Sequence, residues 1–349
     1  MGICAEKSSA AIDRRVSVAP MMDWSDRHYR RFVRLLAPRA LLYSEMIVAD
    51  AIVRGDRAKL LDFDAAEKPL ALQLGGCNPA TLAAAAQIGA EWGYAEINLN
   101  VGCPSERVQS ATFGACLMAQ PALVADCVAA MAAAVAVPVT VKCRIGIDDE
   151  DSYEFLLRFI DTVAAAGCDT FVVHARKAIL SGLTPRQNRD IPPLRYDTVW
   201  RLKAERPQLA IVINGGIKTV EAATEHWAHT DGVMIGREAY HNPCFVGLLD
   251  RLAWPEARDE VPAPADVVEA LRPYVEGRLA RGERLHSIAR HLLGLYAHRP
   301  GARAFRRVIS ELGPPAKAGF AVLEAAVAAA EGRSGLLAVG RPIRDGGIL

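Results

Sequence analysis

The sequence predicts a closed (β/α)8 barrel, a TIM barrel, followed by a small all-helical domain. Three observations carry that reading. Eight short β-rich runs alternate with helical stretches between residues 16 and 235. The runs are apolar along their length, as strands covered by helices are. Beyond a proline-rich tract near residue 260, only helical periodicity remains. An open doubly wound sheet is the alternative, but it seldom needs eight similar units in a row.

The elements follow in order. Residues 16–20 form the first strand, ending at Pro20-Met21-Met22, and a helix over 26–36 sets Tyr29, Phe32, Val33 and Leu36 on one side. Strands over 41–44 and 70–74 come next, the latter closed by Gly75-Gly76. The helix over 79–88 has a proline near its start, where a missing N–H is no loss. The fourth strand, 95–99, alternates Ala95, Ile97 and Leu99, then meets Gly102 and Pro104, which turn the chain and present Cys103. After a long connection come a helix over 121–134, a strand over 137–142 ending at Lys142, and a helix over 152–166. The sixth strand, 170–173, ends at His174; a proline-punctuated polar loop and a helix over 197–205 follow. The seventh, 209–213, ends in Asn214-Gly215-Gly216, and after a helix over 220–226 the eighth, 232–235, ends in Gly236-Arg237. The expected limits are 15–252 for the barrel, 253–264 for a linker and 265–335 for the helical domain, with helices over 266–280, 285–295, 302–312 and 319–330.

Composition narrows the class. A chain of 349 residues with net charge +1 and 51% apolar residues reads as an ordinary globular protein. Its eight cysteines include no CxxC pair, so neither a disulfide scaffold nor a metal site is suggested. Residues 1–7 lack an apolar run after their first charges, so no secretory leader is expected. The alanine-rich runs are too short to span a bilayer. A cytoplasmic protein with no membrane partner is the expectation. The balance of charge hides one asymmetry: residues 272–307 hold nine arginines against Glu276 and Glu283, net +7, leaving the remainder net −6. Such a local patch suits a polyanion that docks in one place.

In a barrel the strand carboxyl ends converge on one mouth, which is where barrel enzymes place their chemistry. Taken alone, Cys103 reads either as a reagent at such an end or as a small buried hydrophobe. Lys142 closes an apolar strand, where an ammonium is costly unless it meets an anion or snorkels to solvent. His174 takes the equivalent place on the next strand, as a site residue or as a satisfied core histidine. The loops after strands seven and eight are where barrels commonly hold a phosphate, with glycine leaving backbone N–H groups uncovered and Arg237 adding charge, although any tight turn also uses Gly-Gly. Together these ends describe a phosphate-bearing cofactor across the mouth, with Gln73, Lys142 and His174 on its polar edge. No GxGxxG follows the first strand, so flavin mononucleotide (FMN) fits better than a dinucleotide.

These residues stand in motifs that resemble the tRNA-dihydrouridine synthase family, and its A-type branch in particular. The matching stretches are Val18–Trp24, Gln73–Gly76, Glu96–Ser105, Val141–Gly146, His174–Lys177, Pro192–Asp197, Ile213–Ile217, Gly236–Tyr240 and Arg290–Tyr296, spread over residues 15–312. Asn-x-Gly-Cys-Pro marks the wider family; His174–Lys177 with Pro192–Asp197 points to the A type. Where that type often carries an aromatic after His-Ala-Arg-Lys-Ala, this chain has Ile179, a matter of packing more than of chemistry. The resemblance implies an oxidoreductase on CH–CH groups that binds FMN, uses NADPH transiently, and reduces the C5–C6 bond of uridines 20 and 20a in the tRNA D-loop. It implies that Pro20, Met21, Met22, Gln73, Lys142, His174, Asn214, Gly215, Gly216, Gly236 and Arg237 hold FMN. Cys103 is implied as the general acid that protonates uridine C5 after hydride reaches C6. Asn100, Arg186, Arg189, Arg303 and Arg306 are implied to contact the tRNA around its D-loop and elbow, and a monomer without a metal is expected. Alternatives of other classes are a flavin-dependent ene-reductase on a small enone, a non-catalytic RNA-binding module, and a decarboxylase or phosphate-binding isomerase barrel.

Overall fold

The computed structural model describes residues 12–256 and 260–332. The expectation about residues 1–7, linker residues 257–259 and the last residues of the expected helical domain (333–335) lie outside the described residues. Eight parallel strands, β1 (Val16–Val18), β2 (Leu41–Val48), β3 (Leu70–Gly75), β4 (Glu96–Val101), β5 (Val139–Arg144), β6 (Thr170–His174), β7 (Ala210–Asn214) and β8 (Gly232–Ile235), pair in chain order. β8 pairs back to β1 through Val16–Val233 and Val18–Ile235, closing the barrel. Closure excludes the open doubly wound sheet.

Strand alternation decides what lies inside. Ala19, Leu41, Tyr43, Ala71, Val172, Val212 and Met234 form one buried cluster, with Ile12 and Met21 packed against it. One residue pair further along β3, β6 and β7, the inner face turns polar at Gln73, His174 and Asn214, and Lys142 of β5 joins them through its bond to Asn214. The opposite faces, such as Ile97, Leu99 and Val101 of β4, are fully buried under the outer helices. The first of these, Arg27–Leu36, is capped by Asp26, whose side chain accepts from the His28 and Tyr29 N–H groups. Its Arg30 pairs with the fully buried Glu67 at 2.7 Å, and its Arg34 donates to the carbonyls of Ala37, Ala40 and Pro69. This buried lattice locks the β1–β2 connection to the entry of β3.

The structure departs from the sequence expectation at short or irregular pieces. β2 runs four residues further than expected, past a register shift between Tyr43 and Met46. The connection after Cys103 contains a helix, Glu106–Ser110, and a 3-10 segment, Gly114–Ala119. They are five and six residues long, too short to show periodicity. The stretch between the eighth strand and the linker holds two further helices, Arg237–His241 and Pro243–Ala253. In the second, the buried Asp250 accepts from the N–H groups of Arg39 and Ala40.

The chain divides into two compact units between Val261 and Pro262. The second is all helical among its described residues: Pro264–Ala270, Arg272–Ala280, Leu285–Ala289, the 3-10 segment Arg290–Gly294, Ala302–Leu312 and Ala321–Ala330. The expected helix over 266–280 is two helices, because Pro273 lacks the N–H that would continue the first. The +7 segment is also less free than its count suggests. Arg272 is bonded to Glu269 and Glu324, which lie outside the counted window, and Arg278 is buried against Glu283. Arg303, Arg306 and Arg307 are exposed on Ala302–Leu312. Their spacing puts them on one helix face, toward its N-terminal half, where the helix dipole disfavours cations and an incoming anion would relieve both charges. In the sequence Arg307 counts toward the basic segment but carries no role of its own.

Candidate active site

Cys103 sits two residues past the end of β4, half-buried, on a loop held from three sides. From inside the barrel, the Asn100 carboxamide oxygen accepts the N–H groups of Gly102 at 3.1 Å and Cys103 at 3.0 Å. From β5, Arg144 donates to the Gly102 carbonyl at 2.9 Å. From the following connection, Ala115 donates to the Cys103 carbonyl at 2.9 Å. The thiol is therefore placed by backbone bonds and keeps its own side chain for other work.

Around it the mouth is cationic. Lys142 donates to Asn214 Oδ1 at 3.0 Å, and Asn214 donates in turn to the Met234 carbonyl. Burial, then the Arg144 charge, pulls Lys142 down to about 8. Arg144 lies two residues along β5 and is itself drawn down by burial to about 10. It stays cationic near neutral pH while bridging Gly102 to the Lys177 and Asn188 carbonyls. His174 is level with Arg144 in the β5–β6 register, not with Lys142 as the sequence suggested. Burial, with Arg144 and Lys142 next, holds the imidazole well below the usual histidine range, so it is neutral. Its buried Nδ1 has no hydrogen-bond partner among the described residues.

The remaining residues singled out in the sequence take these places. Gln73 is buried beside Asn98 and Asn100. Met21 packs on the inner cluster, Met22 is 58% exposed beside it, and Pro20 is half-buried. Gly215 and Gly216 have left-handed backbones, at φ 120° and 71°. A Cβ on Gly215 would come within 3.3 Å of His174 Nε2, and one on Gly216 within 2.6 Å of Leu194. A Cβ on Gly236 would meet no protein atom within 4 Å. Arg237 pairs with Asp190 at 2.7 Å, which ties the end of β8 to the loop carrying the exposed Arg186 and Arg189. That loop is anchored by the fully buried Asn188, whose amide bonds both ends of Ile179. Asn100 is 8% exposed, with its oxygen committed to the Cys103 loop. Arg303 and Arg306 belong to the second unit.

A flavin nucleotide fits this set. An imidazole nitrogen without a partner among the described residues, a lysine with one neutral partner, and a two-glycine turn at the end of β7 with Arg237 at the end of the neighbouring β8 supply donors and charge for a ring edge and a phosphate. Arg144 and Arg176 were missed as site residues. Arg144 was legible in principle, since it shares the Lys142 face of β5. Arg176 has a buried Nε without a hydrogen-bond partner among the described residues, a feature only the tertiary structure displays. Among the described residues no group of three His, Cys, Asp or Glu converges as a metal site, and no helix is long and apolar enough to cross a membrane.

The site has a measurable consequence. Lys142 titrates lower folded than unfolded, so between about pH 8 and the ordinary lysine range the unfolded chain holds a proton that the folded one has released. Across that window, flavin-free protein should gain stability relative to Lys142→Met by up to roughly 3 kcal/mol as pH rises. Urea unfolding of both proteins at several pH values measures the difference. A constant difference would mean that Lys142 is solvated in the fold.

A closed eight-stranded barrel whose strand-end mouth gathers a cysteine, a lysine, a histidine and a two-glycine turn fits a flavin-dependent oxidoreductase. The sequence model of the dihydrouridine synthase (Dus) family matches residues 17–331, and the chain belongs to that family. Its relatives include proteins called tRNA-dihydrouridine(20/20a) synthase. That of Xanthomonas campestris pv. campestris is 57% identical over 89% of this chain and 92% of its own length. Those of Synechocystis sp. and Vibrio cholerae are 56% and 53% identical, each over 90% of this chain and 94% and 96% of their own lengths.

Proposed function

We propose that the protein reduces uridines 20 and 20a of the tRNA D-loop to 5,6-dihydrouridine, with FMN bound in the barrel mouth and NADPH as the reductant. The observation that carries the reading is Cys103, fixed by its backbone at a cationic strand-end mouth. When bound, the flavin supplies hydride to uridine C6. The residues of the chain do the rest. Lys142, His174, Gln73 and Asn214 hold the ring edge. Gly215, Gly216, Gly236 and Arg237 hold the phosphate, and Pro20, Met21 and Met22 lie against the ring. Cys103 donates its proton to C5, a general-acid step that needs the thiol within hydrogen-bond reach of the base. Asn100 acts on the substrate side chiefly by holding the Cys103 loop. The uridine leaves its stack to enter, at small cost in a loop that is already irregular. Arg186, Arg189, Arg303 and Arg306, with Arg307 added, take tRNA phosphates around the D-loop and elbow. Residues 15–252 serve as the catalytic domain and 265–335 as a tRNA-binding domain, joined by the linker 253–264, in a cytoplasmic monomer.

The test is to map dihydrouridine by position in tRNA from cells lacking the gene. Loss at 20 and 20a is expected; persistence of every dihydrouridine would overturn the reading and direct attention to small enones. The arginine face makes a second prediction. Replacing Arg303, Arg306 and Arg307 together by Ala should lower the slope of log affinity for tRNA against log salt by about two to three, while turnover at saturating tRNA is retained. Gel-shift titrations over a salt series measure that slope, and an unchanged slope would remove this face from the RNA contact.

A further inference from the structure

A buried chain of hydrogen bonds runs along the barrel interior from the start of β4 to the cysteine loop. Arg14 donates through Nε (2.9 Å) and Nη2 (2.5 Å) to Glu96 Oε2. Glu96 Oε1 accepts from Tyr43 OH and from Thr140 Oγ1, each at 2.7 Å. Thr140 Oγ1 accepts from Asn98 Nδ2 at 2.8 Å, and Asn98 Oδ1 accepts from Gln73 Nε2 at 2.8 Å. Gln73 Oε1 accepts from Asn100 Nδ2 at 2.8 Å, and Asn100 Oδ1 receives the Gly102 and Cys103 N–H groups. Glu96, Asn98 and Thr140 are 0% exposed and Gln73 1%. Gln73 and Asn98 are opposite each other in the β3–β4 register, as are Asn98 and Thr140 in β4–β5.

The chain can run in one direction only. A guanidinium has donors and no acceptor, so Glu96 Oε2 must accept. Tyr43 is kept protonated by burial and by Glu96, so its hydroxyl donates. Thr140 therefore gives its single proton to Glu96 and offers its oxygen to the Asn98 amide. Each carboxamide beyond is then set in turn: nitrogen toward Glu96, oxygen toward Cys103. The far end demands the same sense, because the backbone N–H of Cys103 can only donate. Seven residues thus share one polarity, which needs a terminal acceptor at Glu96. Without it, one buried donor has nowhere to go. The interior members lie on paired strands, whereas residues 102–103 lie beyond the last β4–β5 pair at Val101, so a break is relieved there.

We propose that Glu96 and Thr140 are positioning residues, which orient Asn100 and hence the Cys103 loop through this polarised chain although neither touches the loop itself. The inference rests on the reading of Cys103 as the general acid. A consequence for the cofactor follows: with one N–H given to Asn98 and one lone pair taken by Asn100, Gln73 keeps a single N–H and a single oxygen lone pair, in fixed positions, for a bound ring.

The test compares Thr140→Val, which keeps the shape and removes the link, with Thr140→Ser, which keeps the hydroxyl. Glu96→Gln, which keeps the shape but adds donors, serves as the second variant should the valine protein fail to fold. All are assayed as the flavin-loaded full chain, for turnover of a tRNA transcript with NADPH and for the pH profile of iodoacetamide alkylation at the Cys103 peptide. Thr140→Val and Glu96→Gln should each lower kcat about tenfold with the KM for tRNA unchanged, and should displace the Cys103 alkylation profile. Thr140→Ser should match the parent in both. The double variant should be no worse than either single one, as expected for one chain cut twice. Parent-like alkylation and kcat in Thr140→Val, or single losses that multiply in the double variant, would overturn the proposal. If the parent itself leaves tRNA unreduced, the functional reading fails, and the alkylation profiles still decide whether the chain sets the thiol.

Discussion

Cys103→Ala is expected to purify yellow, with the parent's flavin content, and to lose turnover on tRNA by about 10² to 10⁴-fold, the range removed with a positioned general acid. The reason is geometric. The side chain of Cys103 carries no part of the loop's own architecture, since the restraints on it come from the Asn100 oxygen, Arg144 on the Gly102 carbonyl and Ala115 on the Cys103 carbonyl. Removing a sulfur therefore leaves the loop in place. It also leaves Lys142, His174 and the Gly215-Gly216 turn untouched, so flavin retention should not change. Flavin absorbance per chain and single-turnover reduction of a tRNA transcript measure the two parts separately. Normal turnover would sink the acid assignment; loss of flavin would show instead that the thiol supports the cofactor.

Gly114→Ala should do comparable damage from outside the motif. Gly114 has a left-handed backbone at φ 81°, and a Cβ there would stand 2.6 Å from the Cys103 carbonyl oxygen and 2.5 Å from Val108 Cγ1. The first obstacle is backbone and cannot rotate away, so the loop carrying Cys103 must move. A displacement of about 1 Å at a reacting group can cost on the order of 10²-fold in rate, while the strained φ adds roughly 1–3 kcal/mol of instability. The expected protein binds flavin, keeps an alkylatable thiol at Cys103, melts earlier and turns over slowly. Parent-like turnover would mean that the loop has slack that its three restraints do not suggest.

The two variants mark different depths of legibility. Cys103 could be found from the chain alone, because a strand ending in Gly102-Cys103-Pro104 is a local pattern and strand ends meet at one mouth in a barrel. Lys142, His174 and the two glycine turns were legible for the same reason. The barrel itself was legible because apolar strands and amphipathic helices write their periods into contiguous residues. Most of the pieces that escaped were short, as at Glu106–Ser110, or carried a proline inside an otherwise helical stretch, as at Pro273; the 11-residue helix Pro243–Ala253 is the exception.

What the sequence by itself determined was the architecture, the family and the set of polar groups at the strand ends. What only the tertiary structure decided was how those groups are held. Arg144 reaches Gly102, Gly114 faces the Cys103 carbonyl, and Glu96 is joined to Asn100 through Thr140, Asn98 and Gln73. The first and last of these depend on strand register, which brings together side chains distant in sequence, and the second on how the connection after β4 folds back on itself. Hydrophobic periodicity is a property of neighbours along the chain, whereas the direction of a buried hydrogen bond is set by partners that only folding supplies.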